Sequence, residues 1–156
     1  MTDEQWMHEA VEMARRGVDS GQTPFGACLV RDAELVAAAH NCVWGTCDPT
    51  AHAEVRAIRQ ACEKLGSIDL SGCVMYSTCE PCPMCFAAIH WAKVSRVVFG
   101  ARIADAAAAG FSELAISNEQ MKSLGSSAVE IAAGCLRDEC VRLLQDWSAR
   151  PDRRTY

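Results

Sequence analysis

Two short stretches carry residues able to hold a metal ion and move a proton: His52-Ala53-Glu54 and Cys82-Pro83-Met84-Cys85. Thiolate sulfur and imidazole nitrogen are ligands that zinc favours, and three such protein ligands leave its fourth position open to water. The two residues between Cys82 and Cys85 let both sulfurs face one ion. His52 falls in the first turn of a predicted helix, and the cysteines bracket the start of the next. The partial positive charge of a helix N-terminus favours thiolate there. Glu54, two positions beyond His52, is directed too differently to be an easy fourth ligand. It is placed instead to take a proton from a water whose pKa zinc has brought toward neutrality, and to pass it on. The alternative is a closed structural site with Cys79 as fourth ligand and Glu54 merely solvated. Cys79 precedes the Pro81 turn, a position that favours packing beside the site.

The surrounding elements must bring these residues together. Trp6, Met7, Ala10, Val11 and Ala14 recur at helical spacing with charges between them, predicting an amphipathic helix that ends near Gly17–Gly21. Phe25 to Val30 and Glu34 to His40 flank Arg31-Asp32-Ala33 as a β-hairpin. Asp48-Pro49-Thr50 reads as a helix start. Ala51, Val55, Ile58, Cys62 and Leu65 share one face of that helix, and Gly66 closes it. Cys73 to Ser77 predicts a strand, Met84 to Ala92 a helix, and Arg96 to Gly100 a valine-rich strand. Ala104 to Gly110 shows little pattern. Ala128 to Ala132 predicts a fifth strand, and Leu136 to Trp147 a last amphipathic helix. This order implies one α/β domain over residues 1–156, a three-layer α/β/α sandwich around a mixed five-stranded sheet whose later strands are parallel. If both ligand-bearing helices start at one sheet edge, the three ligands meet beyond the carboxyl ends of the parallel strands, where open α/β sheets bind ligands.

Composition narrows the function classes. Half the residues are hydrophobic and 22% are charged, the balance of a folded globular chain. No apolar run approaches the roughly 18 residues of a membrane span, and the acidic start Met1-Thr2-Asp3-Glu4 lacks a signal peptide's features, so a cytoplasmic location without membrane partners is expected. Ten cysteines therefore do not imply a disulfide framework. Cys28, Cys42, Cys62, Cys73, Cys135 and Cys140 lie in apolar stretches as small core residues. The formal net charge of −5, with one small basic cluster at Arg150, Arg153 and Arg154, weighs against a polynucleotide and favours a small molecule.

In this order, His-x-Glu followed by Pro-Cys-x-x-Cys matches the signature of zinc nucleobase deaminases. Over essentially its whole length the chain resembles the cytidine-deaminase-like superfamily. Pro24-Phe25-Gly26-Ala27, Asp48 through Glu54, Cys79 through Cys85, His90-Trp91-Ala92 and Asp105 through Phe111 resemble bacterial guanine deaminases, as does a chain ending in tyrosine, here Tyr156. Val97 through Arg102, Val129-Glu130-Ile131 and Gly134 through Cys140 are similar instead to bacterial tRNA adenosine deaminases.

The resemblance implies one zinc ion per chain on His52, Cys82 and Cys85, with Glu54 as proton shuttle. It implies that Asn41 and the Ala53 backbone N–H hold the ring's polar edge, and that Phe25 and Trp91 wall its faces. It implies that Glu113, after the Gly110-Phe111 pair, reads the base's N–H groups, that Tyr156 serves a lid which can cross between subunits, and that the chain forms a homodimer. Specificity lives in the pocket rather than the scaffold. The expected reaction is therefore hydrolytic deamination of a purine base, guanine to xanthine and ammonia. The alternatives are a tRNA adenosine deaminase, an enzyme for another small aminated ring (pterin, triazine, cytosine or nucleoside), and a non-catalytic zinc module.

Overall fold

A reciprocal cap begins the chain: the Thr2 hydroxyl accepts from the Gln5 amide, and the Gln5 side chain accepts from the Thr2 amide. It starts α1 (Asp3–Asp19), the first element of a computed structural model that describes residues 1–156. Two strands come next, β1 (Gly26–Arg31) and β2 (Glu34–His40), paired antiparallel. Their connection is tighter than the sequence pattern implies. Arg31 stays in the strand, while Asp32 and Ala33 alone turn the chain at φ 52° and 59°, the positive values a two-residue hairpin demands.

The remaining elements are α2 (Val43–Thr46), α3 (Ala53–Leu65), β3 (Val74–Cys79), α4 (Pro83–Trp91), β4 (Arg96–Ala101), α5 (Ile103–Ala108), α6 (Asn118–Gly125), β5 (Glu130–Ala133) and α7 (Arg137–Ser148). The sheet order is β2-β1-β3-β4-β5, with β1 antiparallel to both neighbours and β3, β4 and β5 parallel. The expected mixed five-stranded sheet between helical layers is thus the fold. Alternation along each strand sends side chains to opposite faces. Leu29, Met75 and Val97 join Phe86 and Ile89 of α4 on one side. Cys28, Tyr76 and Val98 meet Met7 and Val11 of α1 and Leu144 and Trp147 of α7 on the other.

The helix α3 corrects one expectation about its buried face. Ala53, Ala57 and Ala61 are fully buried, whereas Val55, Ile58, Cys62 and Leu65 are only partly so. Alanine lets a helix backbone lie close to the sheet, and the larger side chains fill the flanks. Three short helices, α2, α5 and α6, were not expected. All ten cysteines are free thiols, and Cys28, Cys73 and Cys140 are buried as small apolar groups. No helix is long and apolar enough to cross a membrane.

Close approach also governs the other layer. A Cβ at Gly26 would stand 2.0 Å from the Ala10 carbonyl oxygen and 2.5 Å from the Ala14 nitrogen, both backbone atoms of α1. Gly26→Ala must therefore push α1 off β1, and it is expected to destabilise the fold by about 1–3 kcal/mol, as overpacked sites do. Urea unfolding checks this; an unchanged midpoint would show that α1 is free to shift.

Candidate active site

Strand direction decides where the chemistry sits. Since β1 opposes both β2 and β3, the chain leaves β2, β3 and β4 at the same sheet edge and enters β1 there. Phe25 precedes β1, Asn41 comes directly after β2, Cys79 and Glu80 close β3, and the segment carrying Phe111 and Glu113 lies beyond β4. One pocket of about 300 Å³ at this edge is lined by Phe25, Asn41, His52, Glu54, Cys79, Glu80, Cys82, Glu113 and Tyr156.

The two ligand-bearing helices start there together. His52 is the N-cap of α3, one step before the helical turn in which the sequence pattern placed it, and Cys82 is the N-cap of α4 with Pro83 behind it. The Cys82 and Cys85 sulfurs stand 3.6 and 3.5 Å from His52 Nδ1, and the three ligand atoms lie within 4.8 Å of one another. Zinc bonds of ordinary length at tetrahedral angles separate an N and an S ligand by about 3.5 Å, so the triad fits a zinc ion. Cys82 is held as a thiolate, its pKa lowered to about 4 by hydrogen bonding from Cys85 and from His52. Burial pushes the His52 imidazole down, but the Cys82 thiolate and the Glu54 carboxylate outweigh it and leave its pKa raised.

Cys79 does not complete a closed site. Its sulfur contacts the Arg102 carbonyl at 3.5 Å, it lies outside the ligand triad, and burial holds its thiol well above the usual range. Three ligands leave a coordination position for a reactant. Bound zinc supplies Lewis acidity that brings a water within reach of deprotonation near neutral pH. Glu54 is a buried carboxyl in the same pocket. Its Oε1 accepts from Ser77 Oγ at 3.0 Å, and burial raises its pKa, as suits a group that takes a proton up and gives it back.

Residues 1–101 match the profile of the cytidine and deoxycytidylate deaminase zinc-binding region. The chain belongs to this family of zinc-dependent deaminases. It is 47% identical to the guanine deaminase of Bacillus subtilis over 120 residues, 76% of this chain and 77% of that protein. It is 36% identical to the tRNA-specific adenosine deaminase of the same organism over 142 residues, 91% of this chain and 86% of that one. A solved guanine deaminase from Nitrosomonas europaea superposes with a TM-score of 0.86 at 32% identity, covering 94% of this chain and 85% of that one.

Around the triad of this deaminase, Asn41 is wholly buried; its Oδ1 accepts from the Val43 amide at 3.0 Å, and its Nδ2 donates to the Tyr156 hydroxyl. The Ala53 amide opens α3 and donates to nothing within the chain, so it is free for a ligand. Phe25 meets Phe111 edge-on at 4.9 Å. Tyr156 packs against Phe111 and His52 of its own chain, and its main-chain oxygen accepts from the Ser112 amide at 3.0 Å.

Trp91 is the exception. It ends α4 at 81% exposure, a helix-length away from Cys82, and forms no wall of its own chain's pocket. Phe111 and Glu80 were missed as site residues. The first was visible only as a partner of Glu113, and the second makes its contacts through backbone amides.

Glu54→Gln keeps the shape but removes the proton carrier. It should lower turnover about a thousandfold or more, while metal analysis still finds one zinc per chain. Retained turnover would remove Glu54 from the proton path.

Proposed function

We propose that this deaminase acts on a free aminated purine base, guanine before others, yielding xanthine and ammonia. The observation that carries this reading is the lining of its cavity. A second carboxylate, Glu113, shares the pocket with Glu54, and no lysine or arginine lines it or the 580 Å³ groove of Pro49, Met84, Leu114 and neighbours outside it. A carboxylate accepts hydrogen bonds from the ring N–H and amino groups that guanine presents side by side. An RNA substrate would instead call for cationic side chains along its phosphates, and the chain's formal net charge is −5.

In this reading Phe25 covers one face of the base, Asn41 Nδ2 and the Ala53 amide hold its polar edge, and the Tyr156 ring closes the pocket. Oxygen of water adds to the amine-bearing carbon, and Glu54 takes a proton from that water. It delivers that proton to the ring nitrogen and then moves the remaining hydroxyl proton to the amine; the C–O double bond forms as the C–N bond breaks, and ammonia leaves. One domain over residues 1–156 performs the reaction in the cytoplasm, as part of purine metabolism. The chain pairs as a homodimer, a state supported by the exposed side chains of Trp91 and Leu124. Light scattering should give twice 16.9 kDa, and a monomeric mass would refute the pairing.

The substrate reading is tested by ammonia release from free bases, nucleosides, pterins, triazines and a tRNA. Guanine should lead the panel. Burial raises the Glu113 pKa, and only the ionised carboxylate accepts both bonds, so guanine kcat/KM should climb with pH until that carboxyl is fully ionised. Glu113→Ala should raise KM for guanine about 10- to 100-fold, the worth of a charged hydrogen bond. Activity on tRNA alone, falling steeply with salt, would establish the RNA reading that the similarity to tRNA-specific adenosine deaminase supports.

A further inference from the structure

Glu80 is a buried carboxylate that the reaction does not use, at 5% exposure between Cys79 and Pro81. Burying a charge is costly unless its oxygens are bonded, and both of these are. Oε2 accepts from the Ile103 amide at 3.2 Å, and Oε1 from the Asn118 amide at 2.9 Å. These are the first residues of α5 and α6, so one side chain answers orphan amides at two helix starts. The nearest cation, Arg102, stands 4.0 Å away and half-exposed.

Asn118 closes the ring. Its Nδ2 donates to the Pro81 carbonyl at 2.6 Å, one residue before the ligand Cys82. The two clamped amides bracket the segment that brings Phe111 and Glu113 to the pocket. Between them, Ser112, Leu114, Ala115 and Ile116 are exposed, so little packing of their own fixes the path that Glu113 takes.

We propose that Glu80 is a positioning residue for substrate recognition: it ties the recognition segment to the loop that carries Cys82, and so sets where Glu113 meets the ring. The recognition role rests on the reading of Glu113 given above; the clamp itself rests on the hydrogen bonds alone. In Glu80→Gln one of the two acceptors becomes an amide donor facing an N–H, and half of the clamp is lost.

The experiment is hydrogen exchange on the full chain with zinc bound, alongside steady-state kinetics. In Glu80→Gln the amides of residues 103–118 should exchange about tenfold faster or more, the scale on which losing a supporting contact acts, with zinc still one per chain. Guanine KM should rise more than kcat falls. Adding Glu113→Ala should then cost less than it does in the parent enzyme, because that contact is already weakened. Unchanged exchange in the segment, or losses that multiply fully, would overturn the proposal. Faster exchange together with a Glu113→Ala enzyme of unaltered guanine KM would support the clamp while refuting the guanine assignment. Should Glu80→Gln fail to fold, Glu80→Asp keeps the charge but shortens the reach, and the same exchange measurement decides.

Discussion

Three ligand atoms within 4.8 Å of one another, drawn from the starts of two helices, impose a condition on the whole molecule. Both helices must begin at one edge of the sheet, so the strands that feed them must run the same way. The chain achieves this by inserting β1 between β2 and β3, antiparallel to each. From β2 the chain crosses over β1 through α3 and enters β3 parallel to β2, bringing His52 and then Cys82 back to a common edge. The tight approach of α1 to Gly26 and the alanine face of α3 serve the same end. They hold a helical layer close against each face of the sheet.

The same convergence concentrates negative charge. Glu54, Glu80, Glu113 and the Cys82 thiolate share one small pocket, with His52 as the group that can answer them from within it. Both Glu80 oxygens accept from backbone amides, which satisfies this carboxyl in its buried position. Glu113 has no such partner and is raised to about 7 by burial and by the Cys82 thiolate. A divalent cation on the triad relieves that repulsion, which couples metal binding to the stability of the pocket. On the roles proposed above, environment rather than residue type separates three carboxylates into a proton carrier, a clamp and a reader of the base.

The sequence made the metal triad legible because its information is local. Cys82 and Cys85 are three apart at a helix start, and His52 and Glu54 flank another. The strands were legible from alternation and valine content, and Gly66 marked the end of α3. The features that stayed hidden depend on partners far along the chain or on short elements. α5 is six residues rich in alanine, too short to show a periodic face. α6 did carry a signal, Ser117-Asn118-Glu119-Gln120, whose capping box the structure shows in full. Trp91 was placed by resemblance alone, and nine residues of helix carry it to the end of α4 away from Cys82, outside its own chain's pocket. Glu80 could not be read at all, since backbone amides 23 and 38 residues away have no residue-type signature.

Its two kinds of relative agree on the scaffold and differ in what they act on, and the division of labour in the fold explains how both likenesses can hold. The tail that resembles tRNA adenosine deaminases forms β5 and α7. α7 packs with α1 against the sheet face opposite α3 and α4. Of the matching residues there only Val129 and Cys140 are buried, so that likeness lies largely outside the core, and none of it lines the pocket. On the reading proposed above, substrate choice is open to change in the segment between α5 and α6, where Ser112, Leu114, Ala115 and Ile116 face solvent. The exposed positions beyond the buried Phe111 and the Ser112–Tyr156 hydrogen bond can exchange side chains without disturbing the ligands on the other side of the pocket. In that reading chemistry and specificity are separable: the first depends on two helix starts, and the second on a short bridge hung from the loop that precedes one of them.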